Sequence, residues 1–141
     1  MPATVILSQP PSRRCVFHRP VDEYGDGDVY FLEVDLEDDG VSVHGWSALD
    51  GRQGHDLPGF LAHLLEQWRG WSGTLTWTSM EGEMTLDATH LGHVVVLGVT
   101  VRRPDHTHDL DAWSARVVFL VEPGEQLRSL SRDASAVLVR H

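Results

Sequence analysis

From Thr4 onward the chain alternates apolar and polar residues in short runs, and twice the alternation gives way to apolar residues three and four positions apart. The first pattern predicts strands with one buried face, the second amphipathic helices. Thr4 to Ser8 and Cys15 to His18 read as short strands separated by the Pro10-Pro11 break. Tyr30, Leu32, Val34 and Leu36 then alternate with Phe31, Glu33 and Asp35, and a Glu37-Asp38-Asp39-Gly40 turn leads into Val41, Val43 and Gly45 alternating with Ser42, His44 and Trp46. This is a hairpin pattern. Leu49 to His55, with two glycines, reads as loop.

Asp56 is placed to cap a helix with Pro58 in its first turn, and Phe60, Leu61, Leu64, Leu65 and Trp68 recur at helical spacing until Gly70. Four further alternating sets follow: Leu75 and Trp77; Met84, Leu86 and Ala88; Val95 to Val101; and Trp113, Ala115, Val117 and Phe119. The turns at Met80-Glu81-Gly82 and Leu91-Gly92 are short enough to make these strands antiparallel neighbours. Pro123-Gly124-Glu125 opens a second helix with Leu127, Leu130, Ala134, Val137 and Leu138 on one face. The order predicts an α+β fold: a two-layer domain with a mainly antiparallel sheet of six to eight strands and two amphipathic helices on one face. A chain of 141 residues suits one core, so residues 1–141 are expected to form a single domain. The opposite sheet face is polar, with Glu33, Asp35, His44, Glu83, Thr85 and Asp87 on outward phases.

Composition narrows the classes. Hydrophobic residues make up 41% and charged residues 23%, in the globular range, and the longest apolar runs, such as Val117 to Val121, fall far short of a membrane span. The start Met-Pro-Ala-Thr-Val-Ile-Leu has no basic leader before its apolar run, and Cys15 is the single cysteine, so a reducing, cytoplasmic location is expected. Lys and Asn are absent and Ile6 is the only isoleucine, a bias that points to a GC-rich genome. The formal charge of −10 repels nucleic-acid phosphate and anionic lipid and attracts basic proteins. Neither nucleic acid nor membrane is therefore an expected partner.

Catalytic and metal motifs are weak. Asp22, Asp26, Gly27 and Glu33 match positions 1, 5, 6 and 12 of a calcium loop, but Tyr24 stands at position 3 and Pro20 precedes the segment in place of a helix. His106-Thr107-His108 with Asp105, Asp109 and Asp111 offers ligand types without the partner pair a zinc site needs. His90 and His93 flank a turn and have no nucleophile beside them. Cys15 has no thiol-enzyme signature, and Ser72 in Gly70-Trp71-Ser72-Gly73 departs from the nucleophile elbow. The expectation is a non-enzymatic chain with no cofactor and no metal. Trp68, Trp77 and Trp113 read as core residues, and Trp46, on a polar phase near a strand end, as one covered by the following loop.

Trp68, Gly70, Trp71 and Gly73, then Trp77-Thr78-Ser79-Met80-Glu81-Gly82, Leu86-Asp87-Ala88-Thr89-His90, Gly92-His93-Val94, Ala112-Trp113 and Glu122-Pro123-Gly124-Glu125-Gln126-Leu127 form a string that resembles an uncharacterised family of small proteins from GC-rich bacteria. The resemblance covers about Phe60 to Leu138. That family is more loosely similar to WapI-type immunity proteins, which neutralise bacterial toxin domains. The resemblance implies a toxin domain as protein partner; the net charge points to a cationic one, with Glu33, Asp35, Glu83 and Asp87 on the polar surface as candidate contacts and the chain a monomer or homodimer. Two other classes stand beside it: a self-associating scaffold whose exposed strands pair between copies, and a small metal-dependent enzyme using His44, His90, His93 or the loop from His106 to Asp111.

Overall fold

The computed structural model describes residues 4–25, 27–50, 56–105, 107–108 and 110–138. Strands β1 (Thr4–Gln9), β2 (Arg13–His18), β3 (Val29–Asp38) and β4 (Val41–Asp50) make one antiparallel four-stranded sheet in that order. Helix α1 (Leu57–Glu66) follows, then β5 (Thr74–Thr78), β6 (Met84–His90), β7 (Val95–Asp105) and β8 (Leu110–Val121) as a second four-stranded meander, and α2 (Glu125–Val137) ends the fold. The α+β class, the antiparallel pairing and the two helices match the sequence pattern. The strands, however, form two sheets where one was expected. Among the described residues no helix is long and apolar enough to cross a membrane.

Two features accompany the division. Helix α1 lies between β4 and β5 in the chain, so these strands do not become ladder neighbours. Where β1 and β8 approach, side chains take the place of a ladder: Leu120 N–H donates to Gln9 Oε1 at 2.9 Å and Arg13 Nη1 donates to the Val118 carbonyl at 3.0 Å. The inward phases of both sheets still feed one core. Phe17, Leu32 and Leu36 from the first sheet and Leu86, Leu97 and Phe119 from the second belong to the same buried cluster, joined by Leu61 and Leu64 of α1 and Leu127 of α2. At the corner between β4 and β7, Gly45 faces Val101 so closely that a Cβ there would lie 2.7 Å from Val101 Cγ1.

Both helices start as their sequences require. Asp56 Oδ1 accepts from Gly59 N–H at 2.9 Å, satisfying one of the free donors at the start of α1, and proline sits in the first turn. At α2 the exchange is reciprocal. Glu122 accepts from Gly124 and Gln126 N–H at 2.6 and 3.3 Å, while Gln126 Oε1 accepts from Glu122 N–H at 2.7 Å. The first helix nevertheless stops at Glu66, with Gln67 as its cap and Gly70 N–H closing a turn onto Gln67 at 2.9 Å. Trp68 thus lies beyond the helix and is half exposed, contrary to its expected place in the core.

Candidate docking face

The outward side of the first sheet carries the most distinctive chemistry. In register, Glu33 pairs with Trp46 and Asp35 with His44 on the phase facing away from the core, and Phe31, on the same phase, pairs with the buried Ala48. Asp22 organises the preceding loop, its two carboxylate oxygens accepting from Gly25 and Gly27 N–H at 2.9 and 3.0 Å, and Val21 pairs with Phe31 by mutual backbone bonds of 2.9 Å. Tyr24 is thereby brought over Phe31, ring centroids 5.7 Å apart, and Phe31 meets Trp46 edge to face at 5.4 Å. Each such pair stabilises by about 0.5–1.5 kcal/mol beyond its area burial. The row stays open to solvent: Tyr24 is 69% and Trp46 58% exposed. Trp46, expected to be covered, is therefore exposed.

Beside the aromatic row, Asp35 is shared by two histidines. His18 Nε2 lies 2.8 Å from one carboxylate oxygen and His44 Nδ1 2.5 Å from the other. The hydrogen bonds from His44 and then His18 hold the Asp35 carboxyl below its ordinary 3.8, and the bond to Asp35, with Glu33 adding its charge, raises His44 above its ordinary 6.5. No hydroxyl or thiol nucleophile bonds to this trio among the described residues. Cys15, on the inward phase of β2, is fully buried, and burial followed by the Asp35 charge pushes its thiol far up, so it stays protonated and inert.

The trio makes stability depend on pH. Asp35, with a lowered folded value, contributes above its unfolded value and loses that contribution as pH falls through the folded one. His44, with a raised folded value, contributes fully below about 6.5 and loses it as pH rises through the folded value. The joint contribution is largest between about pH 4 and pH 6.5. Both groups are partly solvated, so it amounts to ~1 kcal/mol or less. Asp35→Asn is expected to lower the melting temperature in mildly acid buffer more than in alkaline buffer, and to shift the His44 imidazole titration, followed by NMR, back toward the ordinary value. An unmoved His44 titration would show that the two groups do not interact in solution.

Around the middle of β4 a groove of about 340 Å³ opens between the sheets, lined by His44, Gly45 and Trp46 on one side and by Glu81, Glu83, Arg102, Arg103 and Trp113 on the other. Trp113, assigned to the core by its phase, is 36% exposed here. It stands opposite Arg103, past the Met84–Val101 pair that ends the β6 ladder, and across the groove from Gly45 of β4. Trp77 is buried as expected, and Trp71 packs against the core while donating from Nε1 to the Ala88 carbonyl at 3.1 Å.

The four acidic candidates do not form one patch. Glu33 and Asp35 share the outer face of the first sheet, and Glu83 lies in the β5–β6 turn at the groove. Asp87 sits on the second sheet, held by Arg116, whose Nε and Nη2 donate to its two oxygens at 3.1 and 2.7 Å across the bare face of Gly98. His90, the last residue of β6, serves the turn that follows: Nε2 bonds the Trp68 carbonyl at 2.8 Å and Nδ1 accepts from Gly92 N–H at 3.0 Å. Asp26, His106 and Asp109, from the weighed calcium and metal loops, lie outside the described residues, as do residues 51–55 of the predicted loop. Among the described residues no group of three or more His, Cys, Asp and Glu is arranged to hold a metal ion. Tyr24, Phe31, Arg102 and Arg103 complete the surface without having been singled out from sequence; Phe31, an aromatic on the same phase as Glu33 and Asp35, was the available signal.

The model of a family of unknown function, DUF6228, matches residues 6–141 of this chain. Neither a curated protein nor a solved structure matches it.

Proposed function

We propose a function for a chain that belongs to DUF6228, a family of unknown function: it is a non-enzymatic protein-binding domain of the immunity type, which neutralises a basic bacterial toxin in the cytoplasm by docking through the outer face of its first sheet. The observation that carries this reading is the uncovered Trp46, stacked against Phe31 and facing Glu33 in register. An exposed indole held rigid by a neighbouring ring is the side chain most enriched at interface hot spots. Its acidic surroundings, Glu33, Asp35 and the nearby Glu83, in a chain of formal charge −10, favour a cationic partner and fast, salt-sensitive association. Asp87 is left out of the docking set because Arg116 already neutralises it. The likeness of the Trp68 to Leu127 string to relatives of WapI-type immunity proteins points the same way.

The test is co-expression of the chain with toxin domains encoded beside its gene. Wild-type protein is expected to restore growth. Trp46→Ala is expected to weaken toxin binding by about 2 kcal/mol or more, some thirtyfold, and Glu33→Arg to slow association and flatten its salt dependence. Growth rescue and affinity unchanged in both variants would remove this face from the interface, and failure to rescue any neighbouring toxin would remove the immunity role.

A further inference from the structure

The outer strand of a sheet leaves half its backbone donors and acceptors without ladder partners, and proteins either cover such an edge or pair it. Four strands are in this position: β1, β4, β5 and β8. At β8, Gln9 and Arg13 occupy the Leu120 N–H and the Val118 carbonyl. Helix α2 packs beside β1. Strand β5 has only five residues. Strand β4 is different: it runs for ten residues, and its stretch from Val41 to Trp46 is largely exposed.

The pairing of Asp38 with Val41 across the turn Asp39-Gly40 fixes which groups are open. A two-residue hairpin is closed by a hydrogen-bonded pair, so Val41, Val43 and Gly45 bond β3, and Ser42, His44 and Trp46 point their N–H and C=O groups away from it. No other described residue bonds these outward backbone groups. From Val41 to Leu49 the strand holds no Asp, Glu, Arg, Lys or Pro, in a chain of formal charge −10, and His44 is its one titratable residue. It carries neither the charges nor the proline with which natural edges prevent pairing.

We propose that β4 pairs antiparallel with β4 of a second copy of this chain about a two-fold axis, merging two four-stranded sheets into one of eight. The charge pattern selects this occupant. A basic strand would find no carboxylate on β4 itself, whereas two copies bring no fixed like charges opposite each other. Any register that keeps both apolar faces on one side sets Ser42, His44 and Trp46 against members of the same set, leaving the indole on the outer surface. The inference is independent of the docking reading, because it concerns the chain without any partner.

Sedimentation equilibrium and light scattering on the purified full chain, with no toxin present, test it. The expected result is a reversible dimer of twice the 15.7 kDa chain mass. Ser42→Pro removes an outward N–H while sparing the bonds to β3, and Ser42→Glu sets two carboxylates close to the pairing axis; both are expected to return the mass to that of one chain with an unchanged circular dichroism spectrum. Should Ser42→Pro lose its fold, Ser42→Glu decides. A wild-type chain that stays monomeric up to millimolar concentration, or a dimer that persists in the folded variants, would overturn the proposal.

Discussion

Phe119→Ala is expected to cost about 3–5 kcal/mol of folding stability, against ~1 kcal/mol or less for Leu120→Ala at the next position of the same strand. Phe119 is 2% exposed and sits on the inward phase of β8, paired with Leu97, where the second sheet approaches β1, β2 and β3 of the first. Leu120, one residue on, is 46% exposed. Removing the ring takes away its transfer free energy and opens a cavity between layers held by other elements, so the site cannot easily collapse. With net stabilities of 5–15 kcal/mol typical, this is a large share of the total and lowers the melting temperature by roughly 10–15 °C. Thermal melts of the two variants check both the magnitude and the phase. Equal small shifts would mean that β8 does not present Phe119 to a core shared by the two sheets.

That contrast was open to a reading of the chain because alternation is a local property. Each strand with a buried face announces it through residues two apart, and α2 announces its stripe through Leu127, Leu130, Ala134 and Val137. What alternation does not encode is which strand lies beside which. Eight strands of correct phase are compatible with one sheet or two, and the choice here rests on α1 intervening after β4 and on Gln9 and Arg13 reaching across to β8, contacts more than a hundred residues apart in the chain.

The docking face was legible to a similar depth. The outward phase of Glu33, Asp35, His44 and Trp46 follows from periodicity alone. Exposure of Trp46 does not, because it depends on whether another segment covers this stretch of β4. Trp113 shows the same limit from the other side: its phase is inward, but it lies beyond the last β6–β7 pair, Met84–Val101, and is 36% exposed. His18 carried no signal at all, since only the register that sets β2 beside β3 brings it to Asp35, seventeen residues away. In Trp68 the misleading signal was Gly70, which ends a turn following α1 and not the helix itself.

Adding one methyl group at Gly45 is expected to destabilise the fold by about 1–3 kcal/mol, while the same change at Gly98 is expected to be close to neutral. Distance alone gives the wrong order. At Gly98 a Cβ would press on Arg116 Nη2 and come within 2.6 Å of Asp87 Oδ2, closer than the 2.7 Å to Val101 Cγ1 at Gly45. The obstacles differ in what they can do. Those at Gly98 are the ends of two flexible side chains on a solvated face, so rotation relieves the clash and forfeits a partly exposed ion pair, about 0–1 kcal/mol. The lower entropy of the unfolded chain returns about 0.4–1 kcal/mol. At Gly45 the obstacle is a branched side chain on β7, buried and fixed at the corner where the sheets touch, with Trp113 a further 3.9 Å contact. Relief there requires the sheets to separate. Urea midpoints of Gly45→Ala, Gly98→Ala and the double variant Gly45→Ala with Val101→Ala distinguish the cases: the Val101 truncation makes room, so the double variant should be less damaged than the sum of its parts. A Gly45→Ala midpoint equal to wild type would show that the sheets do not meet at this corner.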